Sequence, residues 1–119
     1  PELKPGALNG LRVVEMGQLI AGPFAGKTLG DFGADVIKIE PPKTGDPLRN
    51  WRKILEGTSV WWQVQSRNKR SLSLDLRQTE AQDIVRKLAT EALFRAGRYA
   101  PFGRAPNFPC REQFVGSGA

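Results

Sequence analysis

Apolar and polar positions change period several times along the first ninety or so residues, and each change marks an element. Residues 11–16 (LRVVEM) form a short β-branched run closed by Gly17, the pattern of a strand entering a turn. Residues 23–32 predict a helix of about three turns. Pro23 suits a first helical turn, Phe24, Thr28 and Leu29 are spaced to form a buried stripe, and Gly33 is placed to end it. Residues 35–40 (DVIKIE) alternate and stop at Pro41 and Pro42, neither of which can donate to a sheet ladder. A strand, a short helix and a second strand within about 30 residues make a βαβ unit, parallel and right-handed in nearly all proteins.

Residues 41–59 hold Pro41, Pro42, Gly45, Pro47 and Gly57 and read as a long loop, of a length that is often functional in a compact protein. Residues 60–64 (VWWQV) fit a buried turn of helix or a strand equally well. In residues 71–76 (SLSLDL), Leu72, Leu74 and Leu76 alternate with Ser73 and Asp75, which predicts a strand with one wet side. Thr79, with Gln82 three positions on, resembles a capping box for a helix running to about Thr90, with Ile84, Val85 and Leu88 on one face. The fold class that follows is α/β: a parallel sheet with too few strands to be complete within this chain. Residues 91–119 then change character, with four Arg, four Phe, three Pro, four Gly and five Ala, no Lys and no Asp, and neither period. The chain divides into residues 1–90, which carry the fold, and an irregular tail over 91–119.

At 119 residues the chain is one domain or part of one. Eighteen Lys and Arg against twelve Asp and Glu leave +6, which favours an anionic partner: nucleic acid, anionic lipid or a phosphorylated cofactor. There is no His, and Cys110 is the sole cysteine, so Ser-His-Asp and Cys-His catalysis, zinc sites and disulfide frameworks lack their parts, and no metal is expected. The start Pro-Glu-Leu-Lys has no apolar signal region, and no apolar run approaches the roughly 18 residues of a membrane span. The expectation from these features is a soluble, unexported, cytoplasmic protein without a membrane partner.

Three stretches are candidates for binding. Residues 21–28 (AGPFAGKT) satisfy a loose phosphate-loop pattern between a strand and a helix, as a nucleotide-binding protein would. However, Pro23 deletes a backbone N–H from a loop that must aim such groups at phosphate, and no later strand supplies the acidic residue that holds Mg²⁺. The alternative is a glycine-relieved helix start packed closely on its sheet. The second stretch clusters Arg67, Lys69, Arg70 and Arg77 around one short strand, where they either neutralise a diphosphate or a 3′-phosphate or merely solvate an edge. Third, Trp51, Trp61, Trp62 and the four Phe of the tail are possible stacking platforms for RNA. No RNP, zinc-finger or basic-helix pattern accompanies them, so the tryptophans read as core and nucleic acid is the weaker partner. Glu15, Asp31, Asp35, Glu40, Asp46 and Asp75 have no spacing that dictates a shared site, Asp31 and Asp35 are placed to flank a helix end, and no catalytic residue is assigned.

The pieces LNGLRVVEMGQLIAGPFAGKTLGDFGADVIKIEPPKTGDPLR and SRNKRSLSLDLR, in that order, resemble the N-terminal end of the class III coenzyme A transferases. This CaiB/BaiF-type family includes formyl-CoA transferase, carnitine-CoA transferase and α-methylacyl-CoA racemase. The likeness runs from about Leu8 to Leu88 and rests on AGP, GADVIKIE, GD and NKRSLSLDL occurring together. It implies a Rossmann-like parallel sheet, two interlocked chains, and CoA, delivered as an acyl-CoA thioester, at the carboxyl ends of the strands. It places CoA contacts on Leu19, Ile20 and Ala21 and on Leu74, Asp75, Leu76 and Arg77, with Lys69 and Arg70 as phosphate neighbours. Pro41 stands where some members have an arginine contact.

The resemblance also implies transfer of CoA between carboxylic acids through an aspartyl acyl anhydride. That aspartate lies well beyond the matching stretch, and no Asp follows Asp83. The chain alone is accordingly expected to lack activity and to contribute the cofactor cradle, with residues from about 91 a non-homologous ending such as a shifted reading frame would give. A few parallel strands leave an unpaired edge and an uncovered face, so a homodimer or a complementing chain is the expected partner.

Overall fold

The structure is a computed structural model and describes residues 4–92 and 94–96. Its centre is a parallel sheet of β1 (Arg12–Glu15), β2 (Asp35–Glu40), β5 (Lys69–Ser73) and β6 (Phe94–Ala96), in the order β5-β2-β1-β6. Val13 pairs with Val36 and Val14 with Ile37, and Ile39 of β2 pairs with Leu72 of β5. The three strands expected from the sequence thus run side by side in one direction. The chain steps outward from β1 to β2 to β5 and then returns to the free side of β1 as β6, so the direction of winding reverses between β1 and β6. Such a reversal opens a crevice at the carboxyl ends of the strands, where open α/β sheets take their ligands.

Alternation along the strands builds two apolar layers. Val13, Ala34 and Val36 pack with Leu8, Leu11, Ala25 and Leu29 on the face covered by α1 (Ala21–Asp31). Val14, Ile37, Ile39 and Leu76 pack with Ala81 and Val85 of α3 (Thr79–Glu91) on the other.

Several boundaries differ from the expectation. Helix α1 starts at Ala21, with Pro23 as its third residue, where its missing N–H has no intrahelical partner to lose. Its buried residues are Gly22, Pro23, Gly26 and Gly30, whereas Phe24 is 56% exposed. Leu29 packs inward as expected but Phe24 does not, and at its first turns the helix backbone itself lies close: a Cβ on Gly22 would stand 2.5 Å from the Gly17 Cα. Strand β5 begins and ends earlier than residues 71–76, and Leu74 and Leu76 reach the same core from the turn that follows. At α3 there is no capping box. Gln78 is the N-cap and makes no side-chain cap bond, while the Gln82 Nε2 donates to the Leu76 carbonyl at 2.9 Å. Gln82 therefore takes a buried position beside Ala81 and Val85, and Ile84 turns outward, 43% exposed.

Residues 41–59 are a built connection. Asp46 caps a 3₁₀ turn (Pro47–Asn50), and a hairpin joins β3 (Ile54–Leu55) to β4 (Thr58–Ser59). Its turn residues Glu56 and Gly57 have φ of +49° and +79°, the left-handed pair that a two-residue hairpin requires. The undecided VWWQV segment is helix α2 (Val60–Gln65), begun by the Ser59 hydroxyl accepting from the Trp62 N–H. The tryptophans are not core. Trp51 and Trp61 meet edge to face at 5.4 Å on the surface, and the Arg49 guanidinium stacks 3.9 Å from the Trp62 ring. The tail expected to be irregular begins with β6, and the rest of that expectation, with Cys110 and the later Phe residues, lies outside the described residues. No helix among the described residues is long and apolar enough to cross a membrane.

Candidate functional site

Two segments named from the sequence meet the carboxyl end of the sheet. After β1 the chain turns through Leu19, whose φ of +61° is held by its N–H donating to Asp46 Oδ1 at 3.1 Å. Ile20, 52% exposed, is the N-cap of α1 and offers the first helical turn no side-chain acceptor, and that turn holds no acidic residue. The positive end of the helix dipole therefore lies uncapped just beyond the carboxyl end of β1, and an anion is the group it suits. After β5, the Leu74 N–H donates to the Glu40 carbonyl at 2.9 Å, Leu76 is buried, and Asp75 and Arg77 form an exposed pair at 2.8 Å. The Arg77 guanidinium holds the Asp75 carboxyl at about 2. Since β2 lies between β1 and β5, the two segments leave the same end of the sheet from strands about 10 Å apart. Over the ends of β2 and β5 is a cleft of about 240 Å³, lined by Glu40, Pro41, Lys43, Thr44, Ser71 and Ser73 among others.

The cluster Arg67, Lys69, Arg70 and Arg77 does not converge on one place. Arg67 forks onto Asp31 at 3.1 and 2.8 Å, and Arg70 reaches back to Asp35, the first residue of β2, away from the carboxyl end. The Asp31 carboxyl is held below the usual carboxylate range by Arg67 and then by Lys27. Lys27 itself pairs with Asp31 at 3.1 Å, and residues 21–28 are helical throughout, so they form no phosphate-cradling loop.

Lys69 turns inward and is part of a feature that spacing did not reveal. Its Nζ stands 2.7 Å from Glu15 Oε2 and donates to the Pro23 carbonyl at 2.7 Å. Burial pushes its ammonium down, against the pull of Glu15. Lys38 Nζ stands 2.7 Å from Glu15 Oε1 and 2.7 Å from Asp46 Oδ2, and donates to the Gly17 carbonyl at 2.9 Å. Four charges that sum to zero are thus enclosed where β1, β2, β5 and the 41–59 connection meet. The signal was present in DVIKIE: β2 is buried on both faces, so a lysine between two isoleucines must be buried and must find carboxylates.

Glu40 fastens the same connection. Its carboxylate accepts from the Arg49 guanidinium at 2.9 and 2.8 Å, from the Asp46 N–H at 2.8 Å and, by a short contact, from the Ser71 hydroxyl. Burial alone would raise its carboxyl; Arg49, Ser71 and the Asp46 N–H outweigh that and bring it from 4.5 to about 2. A carboxyl lowered on folding stabilises the native state above its unfolded value and loses that contribution as pH falls through the folded one. On the order of 3 kcal/mol should therefore disappear between about pH 4.5 and pH 2. Urea titrations at steps across this window should show wild type losing stability while Glu40→Gln, which cannot titrate, changes less. Parallel curves for the two chains would contradict the assignment.

The sequence matches the family model described as CoA-transferase family III over residues 8–92. It is 51% identical over 85 residues to succinyl-CoA–D-citramalate CoA-transferase of Chloroflexus aurantiacus, covering 71% of this chain and 21% of that protein. It is 35% identical over 100 residues to human succinyl-CoA:glutarate CoA-transferase, covering 83% of this chain and 22% of that protein. The crystal structure of a CaiB/BaiF family protein from Brucella suis superimposes with a TM-score of 0.72 at 39% identity, over 81% of this chain and 26% of the other. The chain spans about a fifth of the length of the curated relatives it matches.

Proposed function

The chain belongs to CoA-transferase family III, and from that premise we propose that its described residues hold the CoA moiety of an acyl-CoA thioester at the carboxyl end of the sheet. The observation that carries this reading is the meeting, at one end of four parallel strands, of an uncapped helix N-terminus beside the winding reversal and the Leu74–Arg77 turn. The first-turn N–H groups of α1, beside Leu19, Ile20 and Ala21, suit the diphosphate. Leu74 and Leu76 anchor this turn in the core, and Arg77, 80% exposed, is free to swing from Asp75 to a phosphate. Lys69 serves this site from within, by fixing the Pro23 carbonyl at the first turn of α1, whereas Arg70, held on Asp35 at the start of β2, stays outside it. The carboxylate that takes the acyl group comes from outside these residues, through a homodimer or a complementing segment that also covers the open edges of β5 and β6. The acids exchanged are then a CoA thioester and a free carboxylic acid, in the cytoplasm.

Calorimetric titration of CoA into the purified chain tests this. Binding should weaken as salt rises, and Arg77→Ala should weaken it about tenfold, the loss of roughly one charge-assisted contact. Lys27→Ala should leave it unchanged, because Lys27 is engaged with Asp31 further along α1, beyond the first turn. Affinity that needs Mg²⁺ and Lys27, or no affinity for CoA at all, would overturn the reading.

A further inference from the structure

The turn after β1 is held by buried charge rather than by its own backbone. We propose that Asp46, which lies outside the CoA-contacting segments, is a positioning residue that fixes the Leu19–Ala21 turn for CoA; this rests on the reading given above. The carboxylate of Asp46 is fully buried. Its Oδ1 accepts from the Leu19 N–H at 3.1 Å and from the Leu48 N–H at 2.8 Å, and its Oδ2 stands 2.7 Å from Lys38 Nζ. Lys38 in turn donates to the Gly17 carbonyl, and Lys69 to the Pro23 carbonyl, with Glu15 between the two ammonium groups. The short stretch that must present Ile20 and Ala21 is therefore pinned at Gly17, at Leu19 and at Pro23, and every pin leads back to one enclosed cluster. Asp46 alone ties that cluster to the 41–59 connection, by capping the 3₁₀ turn with the same oxygen that holds Leu19. Leu19 carries a left-handed φ, a conformation a leucine adopts only when its surroundings impose it. The Asp46 carboxylate is the contact that imposes it.

Asp46→Asn separates positioning from folding. The asparagine has the same shape but one acceptor oxygen, so it cannot serve both the Leu19 and Leu48 N–H groups and the Lys38 ammonium. CoA titrations on wild type, Asp46→Asn and Leu29→Ala, at a temperature where all three are folded, should show roughly a tenfold loss or more for Asp46→Asn. Leu29→Ala cuts the core under the last turns of α1, at the opposite end of that helix from the Leu19–Ala21 turn, and should stay within about twofold of wild type despite its lower melting temperature. The ¹⁵N-labelled wild type gives a measurement that needs no variant: the Leu19 amide should exchange slowly with solvent. Equal affinity for wild type and Asp46→Asn, equal losses in both variants, or a rapidly exchanging Leu19 amide would each overturn the positioning role and leave CoA binding standing. Failure of wild type to bind CoA would instead remove the reading on which it rests.

Discussion

Replacing Glu15 by alanine should leave the chain largely unfolded at 25 °C. Glu15 is fully buried, and its two oxygens each face a different ammonium at 2.7 Å, Lys38 on one side and Lys69 on the other. Without it Lys38 keeps Asp46, but Lys69 is left with the Pro23 carbonyl alone, and an enclosed cluster that was neutral carries one uncompensated positive charge. Removing one partner of a buried pair costs about 3–5 kcal/mol, comparable to the lower end of the roughly 5–15 kcal/mol that holds a typical domain together. The helical circular dichroism signal and its urea midpoint report the outcome. The double variant Glu15→Met with Lys69→Met should recover much of the loss, because it removes the orphaned charge and fills the space, and Lys38 stays with Asp46. A Glu15→Ala chain that melts like wild type would mean that the cluster is hydrated and contributes little.

Gly26→Ala should be nearly as damaging, although alanine is favoured over glycine in a helix by about 1 kcal/mol. An added Cβ would stand 2.0 Å from Glu15 Oε2 and 2.9 Å from Glu15 Cδ. The end of a glutamate side chain ordinarily moves aside at little cost. This one cannot, since both oxygens are committed to buried ammonium groups, so the methyl group must either break the Lys69 pair or lift α1 off the sheet. A net loss of about 3 kcal/mol is expected, from overpacking and the weakened pair less the gain in propensity. The check is the thermal midpoint of Gly26→Ala in wild type and in the Glu15→Met/Lys69→Met background. There the methyl group meets a side chain without charge partners, and its cost should shrink. An unchanged cost in both backgrounds would show that the sheet, not the ion pair, excludes the methyl group.

These two residues also show where the sequence was legible. The β-branched runs and the prolines after Glu40 located β1 and β2 because strand periodicity is a local property. The parallel direction of β1 and β2 followed from the short βαβ spacing. What sequence reasoning missed was set by distance between elements. Phe24 was expected to face inward from helical spacing, yet the close approach of α1, in which Gly22 and Gly26 have no room for a Cβ, is dictated by Gly17 and Glu15 on other elements. Gln82 matched a capping box, but the Leu76 carbonyl was a better partner for its amide than the helix start was. Likewise, Arg67, Lys69, Arg70 and Arg77 looked like one patch in the chain, whereas alternation along β5 and its neighbouring carboxylates sent them to four separate places. At the candidate site, Leu19, Ile20, Ala21 and the Leu74–Arg77 turn came from the family resemblance. The reason they are held in place, Asp46 and Lys38, required the fold.

The most direct measurement is a CoA titration of the ¹⁵N-labelled chain followed amide by amide. The account predicts that the shifts concentrate at Leu19, Ile20, Ala21 and Gly22 and at Leu74, Asp75, Leu76 and Arg77, with residues of α3 beyond its first turn unmoved. Shifts confined to α1 around Lys27 and Asp31, or to the tryptophan pair Trp51 and Trp61, would contradict it.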